Sequence, residues 1–317
     1  MDAIRTDALT KHYSIGFWRP RPYRALENLT IQVGQGEVFG FLGPNGAGKT
    51  TTLKLLLQLI YPTSGRAEIL GRPVGDVGVK RRIGYLPENP YFYDHLTAEE
   101  LLEYFASLFG YAPADRRRRA AALLDQVGIG AERRLQLRKF SKGMLQRVGI
   151  AQALVNDPEV VFFDEPMSGL DPLGRREIRQ LILAMRARGC TVFFSSHVLS
   201  DAEALCNRVA IVAGGKLVAS GPLSELLAQR ARGWELVVSR IAPEALERAA
   251  AGIAVTPLGA DHYALDLPAA ASPEQMLSAV TAAGASVVSL NPRRDTLEDL
   301  FVSRVAAADA TRGLADA

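Results

Sequence analysis

Residues 43–50 read Gly-Pro-Asn-Gly-Ala-Gly-Lys-Thr, a G-x-x-x-x-G-K-[ST] pattern, and they follow the strand-like run Glu37-Val38-Phe39-Gly40-Phe41-Leu42. Strand, glycine-rich turn and helix in that order form a phosphate-binding loop, and no other stretch constrains the chain as tightly. Glycines let successive backbone N–H groups turn toward one anion, and the helix expected at 50–59 brings the positive end of its dipole to the same point. A nucleoside triphosphate fits such a cradle. Pro44, Asn45, Gly46, Ala47, Gly48, Lys49, Thr50 and Thr51 are the candidate binding residues. Among them Lys49 would reach the β- and γ-phosphates, and the Thr50 hydroxyl would ligate the Mg2+ that bridges them. A glycine-rich turn without a ligand has no use for lysine and threonine directly after its last glycine. The loop alone leaves GTPases, kinases, helicases and transport ATPases open.

From residue 3 to about 227, short β-rich runs alternate with amphipathic helical stretches, which predicts an α/β fold around a mainly parallel sheet. Val160-Val161-Phe162-Phe163 and Thr191-Val192-Phe193-Phe194 are almost wholly apolar, as strands buried on both faces are. Between them Ile178, Leu181, Ile182 and Met185 share one face of a helix at 173–188, completing a βαβ unit. Residues 96–155 are mostly helical in pattern and read as a helical subdomain inserted into the α/β core. Thr97-Ala98-Glu99-Glu100 caps one helix there, 120–127 forms a second, and Ser141 opens a third.

A chain of 317 residues is long enough for two domains. The polar run Ala228-Gln229-Arg230-Ala231-Arg232-Gly233 reads as the linker, placing the first domain at 1–228 and a second at 229–306. The second runs strand (234–238), helix (243–250), strands (253–257 and 263–267), helix (273–283) and strand (286–290). That order is the ferredoxin-like βαββαβ arrangement of a small α+β domain. A last helix at 296–305 precedes an Ala-rich tail at 307–317.

A formal net charge of +3 argues against a dedicated nucleic-acid binder, which would need a concentrated basic surface. The densest basic run, 116–119, reads as a solvated helix face. Two cysteines, Cys190 and Cys206, cannot make a disulfide framework, so a reducing, cytoplasmic setting is expected. Asp2, Arg5 and Asp7 precede any apolar stretch, which predicts no secretory signal. Polar residues and a glycine interrupt the longest uncharged stretch, 275–292, so no transmembrane helix is expected, and any membrane role must come through a partner.

Downstream of the loop, the 160–165 run ends in Asp164-Glu165. A carboxylate closing the strand beside the phosphate loop suits Mg2+, which keeps several waters and takes few protein ligands, and Asp164 has that place. Glu165 points the other way and can polarise an attacking water as general base. An acidic pair that merely closes a strand is the alternative. Phe194-Ser195-Ser196-His197 closes the next strand. His197 there is either structural or a contact to the γ-phosphate or its water. Phe140-Ser141-Lys142-Gly143-Met144-Leu145-Gln146-Arg147 opens a helix with Ser141 as cap and Gly143 leaving backbone bare, a second anion-facing surface or a plain helix start.

In this order the motifs resemble those of the nucleotide-binding subunit of ABC transporters, over about residues 4–228. The family's Leu-Ser-Gly-Gly-Gln signature is matched by 140–144 with Ser141 and Gly143 retained, Lys142 replacing a glycine and Met144 the glutamine. The resemblance implies ATP and Mg2+ as ligands, with Glu165 the catalytic glutamate, Ser168-Gly169-Leu170-Asp171 the D-loop and His197 the switch histidine. Glu88, in Gly84-Tyr85-Leu86-Pro87-Glu88-Asn89, stands where the family has the Q-loop glutamine that touches Mg2+ and the membrane subunit. Tyr13 matches the residue stacking on adenine, although 16–23 looks like an insertion and makes Trp18 and Tyr23 competitors.

The resemblance further implies a head-to-tail homodimer in which the loop of one chain faces Ser141 of the other. That dimer would drive a separate integral membrane permease from the cytoplasmic face of the cell membrane. Tyr91-Phe92-Tyr93 lies where a permease helix docks in the family, or packs as ordinary core. The Tyr-Leu-Pro-Glu and Ser-Lys-Gly-Met variants, and an ending in Thr296-Leu297-Glu298-Asp299-Leu300-Phe301, look like ABC-2 type exporters. A soluble ABC ATPase acting on ribosomes or DNA is the alternative, but this chain has neither a second cassette nor a long coiled coil. A GTPase would need an Asn-Lys-x-Asp motif, and none occurs. The small second domain reads as either a ligand sensor or a dimerisation module, the latter preferred.

Overall fold

A computed structural model describes residues 2–16, 18, 21–227, 233–259, 261–293 and 296–302. The chain divides into two compact units, with the boundary between Leu223 and Ser224. Most of the stretch read as a linker, 228–232, lies outside the described residues, as do the end of the last predicted helix and the tail at 307–317.

The first unit opens with β1 (Asp2–Ile15), β2 (Arg21–Leu29) and β3 (Gln32–Gly34), then β4 (Val38–Leu42) and α1 (Lys49–Leu56). It continues through β5 (Ser64–Ile69), β6 (Arg72–Pro73), α2 (Val77–Lys80), β7 (Ile83–Leu86), α3 (Ala98–Leu108), α4 (Pro113–Gln126) and α5 (Lys142–Ala153). The remaining elements are β8 (Val160–Asp164), α6 (Pro172–Ala187), β9 (Thr191–Ser196), α7 (Leu199–Leu205), β10 (Arg208–Ala213), β11 (Lys216–Pro222) and, across the boundary, α8 (Leu223–Leu227).

Six strands form one sheet in the order β11-β10-β4-β9-β8-β7, parallel except for the edge strand β11. The continuous apolar runs are its centre: every residue of β4, β8 and β9 is buried, because elements cover both faces. On one face Phe193 stacks at 5.5 Å on Phe39 and touches Phe41 and Phe162. That core continues into Leu53 and Leu56 of α1 and into Ile4 and Leu9 of β1. On the other face Gly40 has no room for a side chain, since a Cβ there would run into Cys206 and meet Ala202. That contact places α7 against β4.

The sequence pattern predicts one mainly parallel sheet, and the structure adds a second. β2-β1-β5-β6, with β3 also paired to β1, make an antiparallel five-stranded sheet. Its strands are short or bulged; β1 shifts register against β2, β3 and β5, which blurs the two-residue alternation that betrays a half-buried strand. The expected position of β8 also needs correction. It does not lie beside the strand that feeds the phosphate loop, because β9 runs between β4 and β8. A βαβ crossover through α6 sets β9 next to β8, and the free edge of β4 accepts it.

Thr97 caps α3 with a reciprocal box: its hydroxyl accepts from Glu100 N at 3.2 Å, and the Glu100 carboxylate accepts from Thr97 N at 2.8 Å. Ser141 caps α5 by accepting from Met144 N at 3.2 Å. The second unit contains β12 (Gly233–Ser239), α9 (Pro243–Ala249), β13 (Ala254–Gly259), β14 (His262–Pro268), α10 (Pro273–Ala282) and β15 (Ser286–Arg293). Its antiparallel sheet, ordered β13-β14-β12-β15, has the ferredoxin-like topology. Leu236, Val238, Leu246, Leu265 and Val280 form its core.

Candidate active site

The strand order sets three carboxyl ends side by side, which is where open α/β sheets bind ligands. β4 runs into the glycine-rich loop, β9 ends at Ser196, and β8 ends at Asp164. Gly43 N donates to Ser196 O at 3.2 Å, fastening the start of the loop to its neighbour. Gly46 and Gly48 have φ of 80° and 102°, values open to glycine and costly for other residues. A Cβ on Gly48 would collide with the Ala25 carbonyl oxygen of β2, whereas the space at Gly46 is open. Gly48 is also the N-cap of α1 and supplies no side-chain bond to it. The first-turn N–H groups of α1 therefore have no intrahelical partner, and they begin at the loop. An anion is the group that suits such a cradle.

A cavity of about 340 Å3 opens at this point, lined by Asn45, Gly46, Gly48, Lys49, Thr50, Thr51, Glu88, Glu165, Tyr23 and Ala25. Most of the phosphate-loop candidates thus share it with Glu88 and Glu165. Pro44 and Ala47 shape the loop instead: Ala47 N donates to Pro44 O at 3.2 Å, and Pro44 O also accepts from Lys49. Tyr13 does not line the cavity. Its cross-strand partner Tyr23 does, because β1 and β2 pair Tyr13 with Tyr23 and β2 lies against the loop. Trp18, the third aromatic candidate, is also absent from the lining.

Lys49 is buried, and its three N–H donors have three acceptors: Gly43 O at 2.8 Å, Pro44 O at 3.2 Å and Glu165 Oε1 at 3.1 Å. Glu165 is buried as well, with φ of 50°. A non-glycine residue held in the left-handed region costs of order 1 kcal/mol or more, a strain that clusters at functional sites. The turn is held by Ser195, whose hydroxyl accepts from Glu165 N at 3.0 Å and donates to Asp164 Oδ1 at 2.6 Å. The other Glu165 oxygen, Oε2, is 2.7 Å from His197 Nδ1 and 3.4 Å from His197 N. A cation, a carboxylate and an imidazole are joined through one glutamate.

Asp164 is 1% exposed. Burial pushes its carboxyl above the usual carboxylate range and the Glu165 charge adds to this, while hydrogen bonds from the Ser195 and Thr50 hydroxyls pull it down. The Thr50–Asp164 pair beside an anion cradle fits Mg2+, which takes one or two hard oxygen ligands from the protein and the rest from phosphate and water. Among the described residues no group of three or more His, Cys, Asp or Glu side chains could hold a metal without such help. When bound, Mg2+ would supply charge neutralisation for the bridging phosphate oxygens. Ser195 escaped the sequence reading: its place after the apolar run Thr191–Phe194 and before Ser196-His197 is visible, but its partners at the end of β8 are not.

Ser141 and Gly143 do not join this cluster. They stand at the start of α5, Ser141 exposed and Gly143 half-buried, outside the cavity lining. There a side chain added at Gly143 would meet Leu170, and Lys142 Nζ occupies the place where a Gly169 side chain would begin.

The family model described as ABC transporter matches residues 26–168. An ABC transporter ATP-binding protein of Synechocystis sp. is 47% identical over 307 residues, which are 96% of this chain and 85% of that protein. The chain belongs to the ABC transporter ATP-binding proteins. Another relative, a fluoroquinolones export ATP-binding protein of Mycobacterium tuberculosis, is 42% identical over 210 residues, 66% of this chain and 68% of its own. A dimeric ATP-binding cassette solved in a post-hydrolysis state with ADP and Pi overlays 69% of this chain and 98% of its own, with a TM-score of 0.64 at 26% identity. The expected α/β fold of ABC type, ATP binding and ATPase activity are thereby borne out. As an ABC ATP-binding subunit, the chain serves transport. No helix among the described residues is long and apolar enough to cross a membrane.

Proposed function

We propose that this ATPase is the motor subunit of an ABC-2 type export system, working as a homodimer that drives a separate integral membrane permease from the cytoplasmic face of the cell membrane. The observation that carries the ATPase at the centre of this reading is the Lys49–Glu165–His197 cluster beside the glycine cradle. Residues 44–51 hold the triphosphate of ATP, and Thr50 and Asp164 hold Mg2+, with Glu88 at the rim of the same cavity. Glu165 removes the proton from the attacking water, and His197, hydrogen-bonded to it, orients that water and the γ-phosphate.

With ATP bound, Lys49 exchanges at least one of its present acceptors for a phosphate oxygen. That exchange frees Glu165 Oε1 to face the water. Ser141, exposed, and Gly143, half-buried, both outside the cavity lining of their own chain, serve the nucleotide of the second copy. The small second domain adds to the dimer contact.

The position of Tyr23 in the cavity wall supports it over Tyr13 as the adenine platform. Base–aromatic stacking contributes about 1–3 kcal/mol, so Tyr23→Ala should weaken ATP binding by roughly tenfold or more and leave kcat near the parent's. Tyr13→Ala should do much less. Titration with a fluorescent ATP analogue reads both. The export reading, supported by the relative named for fluoroquinolone export, is tested by co-expression with the membrane protein encoded beside this chain. A six-helix partner without its own cassette should co-purify in detergent with ATPase activity, and its failure to bind would remove the permease from the proposal.

A further inference from the structure

Behind the Glu165–His197 pair lies a buried charged group that the mechanism above does not use. Asp201 stands in the first turn of α7, just past His197, and is 4% exposed. Its Oδ2 is 3.8 Å from Nη1 of Arg175, on α6. Arg175 reaches the other way as well, with Nε donating to Leu170 O at 3.3 Å. Leu170 belongs to the Ser168–Asp171 turn, which Asp171 closes by capping α6 through Gly174 N at 2.7 Å. One guanidinium therefore spans from that turn to the helix that follows His197.

The signature segment lies close to the same turn. Lys142 Nζ lies over Gly169, a side chain added at Gly143 would meet Leu170, and Arg147 of α5 pairs with Glu177 of α6 at 3.6 Å. Stability is a poor reason to keep Asp201. Burial pushes its carboxyl up, Arg175 and Arg179 pull it down, and Glu165 and His197 are close enough to act on it too. At 3.8 Å the ion pair with Arg175 is loose, and a buried pair with imperfect geometry adds little net stability over an apolar one. One planar guanidinium that donates to the Leu170 carbonyl while its charge faces the Asp201 carboxylate nevertheless bridges two elements, which lysine's single point charge does not reproduce.

We infer that Arg175 and Asp201 are positioning residues that tie the 168–171 turn to the start of α7, so that a displacement of the turn moves His197 relative to Glu165. The tie acts on the chemical step and not on ATP capture, since neither residue lines the nucleotide cavity. The inference rests on the proposed roles of Glu165 and His197.

Steady-state ATPase assays on the full chain test it, with thermal unfolding as the check on folding. Arg175→Met and Asp201→Asn should each lower kcat about tenfold or more, the scale on which small misplacements act, with KM for ATP close to the parent's. Arg175→Lys should fall in between. The double variant should be no slower than the slower single one, because both changes cut the same tie. Should Arg175→Met unfold, Asp201→Asn keeps the shape and Arg175→Lys the charge, and they carry the test. Single variants with the parent's kcat, or losses that multiply in the double variant, would overturn the tie. Glu165→Gln separates the two readings: if it still hydrolyses ATP, the roles of Glu165 and His197 fall; if it does not while Arg175→Met turns over normally, only the tie falls.

Discussion

Glu165→Gln should bind ATP, lose about 10²- to 10⁴-fold in turnover, the contribution of a general base, and accumulate as a closed dimer. The substitution is nearly isosteric. Glutamine keeps a hydrogen bond toward His197, now 2.7 Å away, and leaves Lys49 its bonds to Gly43 O and Pro44 O. What disappears is the ability to take a proton, together with the ion pair to Lys49 at 3.1 Å. In the parent chain that ion pair competes with phosphate for the ammonium group. Its loss therefore leaves the affinity for ATP equal to or greater than the parent's, and the two effects separate cleanly. Phosphate-release assays read turnover, nucleotide titration reads affinity, and light scattering with ATP and Mg2+ reads the dimer. Parent-level hydrolysis in this variant would assign the base elsewhere.

Much of this centre is legible without coordinates because its parts are short and contiguous. Residues 43–50 carry their geometry in the glycines themselves, and Asp164-Glu165 and His197 each follow an apolar run whose end can be read to within a residue. The structure brings these positions together in the way a strand-end reading expects. The second unit was equally plain, since each of its strands and helices is bounded by Pro, Gly or a change of period.

What escaped depends on pairing between distant segments, which no local pattern encodes. The role of Ser195 exists only because β8 and β9 align Asp164 with Ser195. Its hydroxyl then holds two consecutive residues of the neighbouring strand end. The choice of Tyr23 over Tyr13 depends on β2 lying against the loop, where Gly48 meets Ala25. Strand order was invisible for the same reason: β9 follows β8 in sequence by a whole helix, yet intervenes between it and β4. The antiparallel sheet was masked by the bulges of β1, which break the alternation a reader would look for.

In the proposed dimer each ATP site is made from two copies of the chain, the glycine cradle of one and the Ser141 surface of the other. Two substitutions disable the halves separately. Lys49→Ala removes the phosphate contact and leaves the buried Glu165 carboxylate without its cation. Such a loss costs a charge-assisted bond in a water-poor site, so hydrolysis should fall below detection. Ser141→Arg places a long charged side chain on the exposed start of α5, where the cap bond to Met144 N is lost. It leaves the chain's own cavity lining untouched.

The deciding measurement is ATPase activity of the two variants alone and mixed. Each should be inactive alone, and equal mixing should restore activity, because a mixed dimer holds one cradle with Lys49 facing one intact Ser141. Hydrolysis by Ser141→Arg alone at the parent's rate would show that one chain completes the site by itself, and the composite site would fall.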